Sequence, residues 1–264
     1  MEWSQRVAIV TGGASGIGEA TVSEFAARGV AVAIFDINRE RGEQVAQTLR
    51  ARGQRVAAYT VDVSDAAACQ SAVQQVTERW QRIDFLVNDA VSFIAKGIDA
   101  TTAEWERSLG VNVRGYANMV AACHPTMKKT GGAIVNLASI SAHVAQPNRW
   151  TYNATKGAIV SMTKCQALDL SVDKIRVNSV SPGWIWTPEV QKAANHDRAK
   201  WEPIWGRYHM LRRLGEPSEV AKAILFLCSD DASFITATEL NVDGGYMGLG
   251  SEGLGDSSSF AGSE

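Results

Sequence analysis

Residues 6–19 read Arg6-Val7-Ala8-Ile9-Val10-Thr11-Gly12-Gly13-Ala14-Ser15-Gly16-Ile17-Gly18-Glu19. An apolar, β-branched run passes without a spacer into a glycine-rich loop, and a helical pattern follows over residues 16–28. Strand, glycine turn and helix in that order form the repeating unit of a parallel sheet with crossover helices. The same rhythm continues along the chain. Strands are expected at 6–11, 30–36, 55–61, 83–88, 132–138, 175–180 and 239–242, and helices at 16–28, 39–52, 66–82, 102–129, 150–171 and 217–229. The strands are rich in Val, Ile and Ala and show no polar alternation, as suits a sheet covered on both faces. Right-handed crossovers then give an α/β fold with a doubly wound parallel sheet and helices on both sides.

The 264 residues carry a formal net charge of −2, with 45% hydrophobic and 20% charged side chains. That balance excludes wholesale disorder and gives no electrostatic footprint for nucleic acid or an anionic membrane. No internal repeat or linker divides the chain, so residues 1–247 are expected to form a single domain. Two stretches break the rhythm: 184–214, and a tail at 248–264 whose Gly, Ser and acidic residues read as flexible. Cys69, Cys123, Cys165 and Cys228 are widely spaced, as are the four histidines, so neither a disulfide framework nor a metal site is expected. The N-terminus lacks a signal-peptide pattern, and no apolar run is long enough to span a bilayer. The expected setting is cytoplasmic.

The second strand ends at Asp36, eighteen positions past Gly18. Glycines let the backbone turn tightly and approach a pyrophosphate, which then meets the N–H groups and dipole of the helix. A nucleoside-triphosphatase loop needs Lys and Ser/Thr after its last glycine, whereas Glu19 and Ala20 follow here. Asp36 is placed to accept hydrogen bonds from both hydroxyls of an adenosine ribose. Its charge opposes a 2′-phosphate, and neither Ser15 nor Ile37 offers a cation, although Arg39 stands close by. NAD is therefore favoured over NADP.

Tyr152-Asn153-Ala154-Thr155-Lys156 places Tyr and Lys at i and i+4 on one helix face. Such a pair is most often a solvated surface contact. The chemical alternative is that an ammonium favours the phenolate and brings a phenol, ordinarily near pKa 10, toward the working range of an acid–base catalyst. Ser139 follows the strand at 132–138, at the carboxyl edge where ligands bind in such sheets.

Taken in order, the glycine loop, Asp62-Val63, Asn112, Ser139, Tyr152-x-x-x-Lys156, Pro182-Gly183 and Val242-Asp243-Gly244-Gly245 closely resemble the short-chain dehydrogenase/reductase family, over residues 6–246. The resemblance implies a Rossmann fold and hydride transfer between a nicotinamide and a secondary alcohol or ketone. It makes Tyr152 the acid/base, with Lys156 lowering its pKa and binding the nicotinamide ribose. Ser139 would orient the substrate oxygen, and Asn112 would hold a water in a proton relay from Lys156. Gly12, Ser15, Gly16, Ile17, Gly18, Asp36 and Ile37 would hold the adenosine and pyrophosphate. Asp62 and Val63 would contact adenine. Asn88, Ala90, Pro182, Gly183, Ile185 and Thr187 would complete the cofactor site. The stretch 184–214 would be a substrate lid, and the helices at 102–129 and 150–171 would build a homotetramer or homodimer.

Two positions depart from the family pattern. Asn88-Asp89-Ala90-Val91 replaces Asn-Asn-Ala-Gly, which puts a β-branched side chain where glycine allows close approach and a charge near the expected adenosine end. Ala237 stands where glycine is frequent. On the substrate side, Trp150, Trp184, Trp186, Trp201 and Trp205 suggest flat apolar walls suited to a cyclic, aromatic or sugar-like alcohol, against the plainer reading that they pack the lid. His143, Gln146, Asn148 and Arg149 are candidates for polar selectivity. Arg198, Lys200, Arg207 and His209 would admit an anionic substituent, although such residues usually form a solvated face. A non-catalytic nucleotide-binding regulator is the rival reading, opposed by the joint presence of Ser139, Tyr152 and Lys156. A methyltransferase would have no use for the Tyr–Lys pair.

Val91→Gly is expected to tighten NADH binding; equal dissociation constants for variant and wild type in a fluorescence titration would refute the reading of Val91.

Overall fold

The computed structural model describes residues 2–251, 253 and 254; the remainder of the expected tail lies outside the described residues. In chain order the elements are β1 (Val7–Thr11), α1 (Gly16–Ala27), β2 (Ala31–Asp36), α2 (Arg39–Arg50), β3 (Val56–Thr60), α3 (Ala66–Trp80), β4 (Phe85–Asn88), α4 (Thr102–Leu109), α5 (Gly115–Met127) and β5 (Gly132–Leu137). They continue with α6 (Trp150–Leu170), β6 (Ile175–Pro182), α7 (Pro188–Ala193), α8 (Arg198–Trp205), α9 (Pro217–Cys228) and β7 (Glu239–Val242). The seven strands form one sheet in the order β3-β2-β1-β4-β5-β6-β7, and every neighbouring pair is parallel.

Each strand sends alternate side chains to opposite cores, so apolar residues are needed on both faces. Ala8 and Val10 of β1 pack with Val22 and Phe25 of α1 and with Val220 and Ile224 of α9. Val7 and Ile9 of the same strand pack with Val73 and Val76 of α3 and Met119 and Cys123 of α5. Burying one such aliphatic side chain contributes roughly 1.5–3 kcal/mol. This double coverage is why the strands lack polar alternation. The chain reverses direction along the sheet between β1 and β4, and the carboxyl ends of those strands frame a crevice.

Local chemistry sets the element ends. Asn38 caps α2 by accepting the Arg41 N–H at 3.0 Å, and Thr101 and Glu104 form a capping box at α4. Strand β6 runs two residues past the expected 175–180, because Ser181 and Pro182 pair with Asn241 and Val242 of β7 beyond the end of β5. The single helix expected at 102–129 is interrupted: Gly110–Arg114 forms one π-helical turn between α4 and α5. The extra residue in that turn rotates Asn112 inward, a local distortion that apolar periodicity does not reveal. Ala237 adopts φ +58°, a left-handed conformation that glycine takes without steric penalty.

Asp84 joins the amino end of β1 to the turn before β4. It is almost fully buried, accepts the Val7 N–H at 2.9 Å, and is paired with Arg6 at 2.8 Å and with Arg82. Asp84→Ala leaves the Val7 N–H without its partner and is expected to lower unfolding free energy by about 1–3 kcal/mol, measured as a reduced urea midpoint at unchanged m-value.

Candidate active site

The crevice at the carboxyl ends of the strands is a cleft of about 400 Å³. At one end lies the glycine loop. Gly12 and Gly16 have φ +67° and +55°, and a Cβ on Gly18 would lie 2.2 Å from the Gly12 carbonyl oxygen and 2.9 Å from Asp89 Oδ2. Only glycine permits the first turn of α1 to sit this close to the end of β1. The cradle a Cβ would fill is the kind that a pyrophosphate requires at a helix N-terminus, so these residues fit a dinucleotide. Asp36 is oriented by the Ala14 N–H at 3.1 Å and the Asn38 N–H at 2.9 Å, and it lines the cleft beside Ile37. Arg39 does not reach the lining, and the nearby Arg41 is paired with Glu19 at 2.9 Å.

Further along, Asp62 and Val63 form one wall. Burial acts to raise the Asp62 pKa, but hydrogen bonds from Ser64 and Arg107 outweigh it and hold the carboxyl below its ordinary value. Ser15, Ile17, Ala90, Pro182, Gly183, Ile185 and Thr187 also line the cleft, as expected. Asn88 does not. Its side chain is buried in the sheet and donates to Asn136 at 2.9 Å, because the last residue of a central strand faces the core rather than the crevice.

At the other end stand Ser139, Tyr152 and Lys156. Ser139 follows β5 in extended conformation and accepts the Ser141 N–H at 3.1 Å, which fixes the hydroxyl. It lines the cleft together with Tyr152. One helical turn later Lys156 is buried; its Nζ lies 5.6 Å from the Tyr152 ring centre and donates to the Leu137 carbonyl at 2.6 Å. The pKa shifts differ from the sequence expectation. Burial pushes Tyr152 up to about 12 and Asp89 adds to the rise, while Ser139 and Arg149 act to lower it. The protein surroundings therefore hold the phenol protonated, because desolvation of the phenolate exceeds the help it receives. Burial also lowers Lys156, partly offset by Asp89.

Asp89 is another correction. It stands not at the adenosine end but between the glycine loop and the acid–base group, its Oδ2 close against Gly18 and its charge facing that of Lys156. Burial raises its pKa above the ordinary carboxylate value, opposed by Lys156 and Gly18. Asn112 accepts the Ser92 N–H at 2.8 Å and donates to the Ser92 carbonyl and Thr155 Oγ1, both at 3.2 Å. Its amide clamps the loop after β4 to α6.

The aromatic walls differ from expectation as well. Of the five tryptophans, Trp184 alone lines the cleft. Trp205 packs against it at 5.1 Å and Trp201 stacks on Trp205 at 4.8 Å, forming a layer behind the wall. Trp186 lies beneath Arg198, and Trp150 is exposed outside the cleft. His143 turns away to Glu239 at 2.7 Å, and Asn148 is absent from the lining. His209 is buried and accepts the Trp184 N–H at 3.1 Å, and burial lowers its pKa; it anchors the wall. Arg198 is paired with Glu202 and Glu216, and Lys200 lies over Trp201. Gln146 and Arg149 do line the cleft, with Gln146 accepting from Ser141 at 2.7 Å. Phe93 was not anticipated: its ring packs 4.8 Å from that of Tyr152. Its position after Ala90 on the loop from β4 was the available signal. Among the described residues, no three His, Cys, Asp or Glu side chains form a metal-binding group, and no helix is long and apolar enough to cross a membrane.

Residues 12–247 match the family model described as enoyl-(acyl carrier protein) reductase. An uncharacterized oxidoreductase of Thermotoga maritima is 38% identical over 91% of this chain and 95% of its own length. A cyclopentanol dehydrogenase of Comamonas sp. is 38% identical over 92% and 97%. The ligand-free structure of an aldohexose dehydrogenase from Thermoplasma acidophilum superposes with a TM-score of 0.85 at 32% identity, covering 93% of this chain and 95% of that one.

The raised pKa of Asp89 has a sign that can be measured. A carboxyl raised in the native state binds its proton more tightly there than in the unfolded chain, so this group's contribution to stability falls as pH rises from about 4 through the raised value. Asp89→Asn is expected to remove that fall, which should amount to about 1 kcal/mol or more; parallel urea curves for wild type and variant between pH 5 and 8 would refute it.

Proposed function

The chain belongs to the short-chain dehydrogenase/reductase family of oxidoreductases, whose members use nicotinamide cofactors, and from that premise we propose that it interconverts a secondary alcohol and a ketone with NAD(H). The observation that carries this reading is the convergence of Ser139, Tyr152 and Lys156, the last one helical turn behind the phenol, at the end of a cleft that begins in the glycine loop. When bound, the dinucleotide supplies the C4 position that accepts or donates hydride.

In oxidation, Ser139 and Tyr152 hold the substrate hydroxyl, and the Tyr152 phenolate takes its proton as hydride leaves the adjacent carbon. In reduction the phenol returns that proton to the carbonyl oxygen. Lys156 supplies positive charge behind the ring, and its bond to the Leu137 carbonyl keeps the ammonium from swinging away. Ser139 and Arg149 favour the phenolate and act against the burial that holds Tyr152 high. Asp36 is suited to a ribose diol, and Arg39 and Arg41 stand off the cleft or are paired; both facts support NAD over NADP.

A cyclic, aromatic or sugar-like substrate is supported by the Phe93 and Trp184 walls and by the cyclic substrates named for the Comamonas and Thermoplasma relatives. We read residues up to 247 as one domain in a cytoplasmic enzyme, with 184–214 covering the substrate. Assembly into a homotetramer or homodimer is supported by apolar side chains left exposed on α4 and α6, Leu109 and Leu168.

Tyr152→Phe is expected to lower turnover by roughly 10²-fold or more while NADH binding persists. The check is absorbance at 340 nm across a panel of cyclic and acyclic alcohols and ketones, with NAD and NADP in parallel. Preference for short aliphatic alcohols would overturn the substrate reading, and preference for NADP the cofactor reading.

A further inference from the structure

Arg149 stands at the N-cap of α6, three residues before Tyr152, and its carbonyl accepts the Asn153 N–H at 2.8 Å. Its backbone is thus fixed at the first turn of the helix that carries the acid/base. The side chain lines the cleft. Its guanidinium carbon lies 5.7 Å from the centre of the Phe93 ring and 5.8 Å from that of Trp184, so two aromatic side chains on opposite segments hold the same cation. Phe93 also packs at 4.8 Å on Tyr152. The guanidinium is therefore one ring removed from the reacting hydroxyl, close enough to lower the pKa of the phenol.

Arg149 differs from the other arginines around the cleft in having no carboxylate partner among the described residues. Arg107, on the opposite wall, is bonded to Asp62 at 3.0 Å. Arg198 and Arg213, both within 184–214, are each paired with glutamates. Glu189 lines the same cleft, yet no ion pair joins it to Arg149. Contact with aromatic faces positions a guanidinium but does not use its N–H donors, which radiate in the plane of the group. A half-buried cation with free donors, held by two rings and aimed into a substrate cleft, calls for a planar, bidentate anion.

The geometry points to Arg149 as the specificity-determining residue for a substrate carboxylate, making the natural substrate a hydroxy or oxo acid with a compact cyclic or apolar body between Phe93 and Trp184. This rests on the oxidoreductase reading above and names the substrate class within it. The rings take the apolar body, Arg149 takes the carboxylate, and Ser139 and Tyr152 take the carbinol oxygen. Three points of attachment fix which face of the carbinol carbon is presented.

The test compares 4-oxocyclohexanecarboxylate with its methyl ester, which keeps the shape and removes the charge. With NADH, wild-type kcat/KM is expected to favour the acid by about tenfold or more. Arg149→Leu should bring that ratio to within about threefold of unity, and Arg149→Lys should leave it intermediate, since a point charge replaces the fork. A general loss of activity cancels in the ratio. An acid-to-ester ratio near one in wild type, or one that Arg149→Leu leaves unchanged, overturns the proposal. Calorimetric titration of the enzyme–NADH complex with the same pair separates the two readings. Tenfold tighter binding of the acid that depends on Arg149, without turnover of either compound, would sink the oxidoreductase reading and sustain the anion site. Turnover of both compounds at equal affinity would do the reverse.

Discussion

Gly18 sits where a single added methyl group would lie 2.2 Å from the Gly12 carbonyl oxygen. That close approach is the constraint on which the rest of the site depends. It lets α1 start directly above the end of β1, so that the helix N-terminus opens on the crevice while Val22 and Phe25, one turn and two turns later, reach the core shared with α9. Binding geometry and core packing are set by the same missing side chain. The close fit also brings Gly18 against Asp89, and through Asp89 the glycine-loop end of the cleft is electrostatically joined to Tyr152 and Lys156.

A second set of contacts aligns the acid–base group with that loop. Thr11 Oγ1 accepts the N–H groups of Asp89 and Ala90 at 3.0 and 3.1 Å, tying the ends of β1 and β4 together. Asn112, turned inward by the π-helical segment, then ties Ser92 to Thr155 on α6. Thr155 adjoins Lys156, so a chain of hydrogen bonds runs from the glycine loop to the catalytic helix without crossing the cleft. Rigid positioning of this kind is what proton transfer over hydrogen-bond distances requires.

The sheet, its parallel sense and the roles open to Ser139, Tyr152 and Lys156 were legible because they rest on local patterns. Val, Ile and Ala on both faces of a strand require two covering layers, and Tyr152 and Lys156 share a face by helical spacing alone. The departures fall where several segments meet. Asn88 was assigned to the cofactor but hydrogen-bonds Asn136 across the sheet, a partner forty-eight residues away. Four tryptophans assigned to the pocket lie behind it or outside it, since composition cannot say which face of a lid points inward. The phenol, expected to be lowered by its lysine, is raised by burial whose extent depends on the whole cleft.

By itself the sequence determined the order of elements, the glycine loop, Asp36 at the end of the second strand and the Tyr–Lys pair, because each depends on residues within about one turn or one strand of one another. Tertiary structure alone decided that Asp89 faces Lys156, that Asn112 clamps a loop, and that Phe93, Trp184 and Arg149 converge beside Tyr152. Those three come from the loop after β4, the turn after β6 and the cap of α6. Sequence spacing carries no signal for such a meeting, which is fixed only when the packed sheet brings its strand ends to one edge.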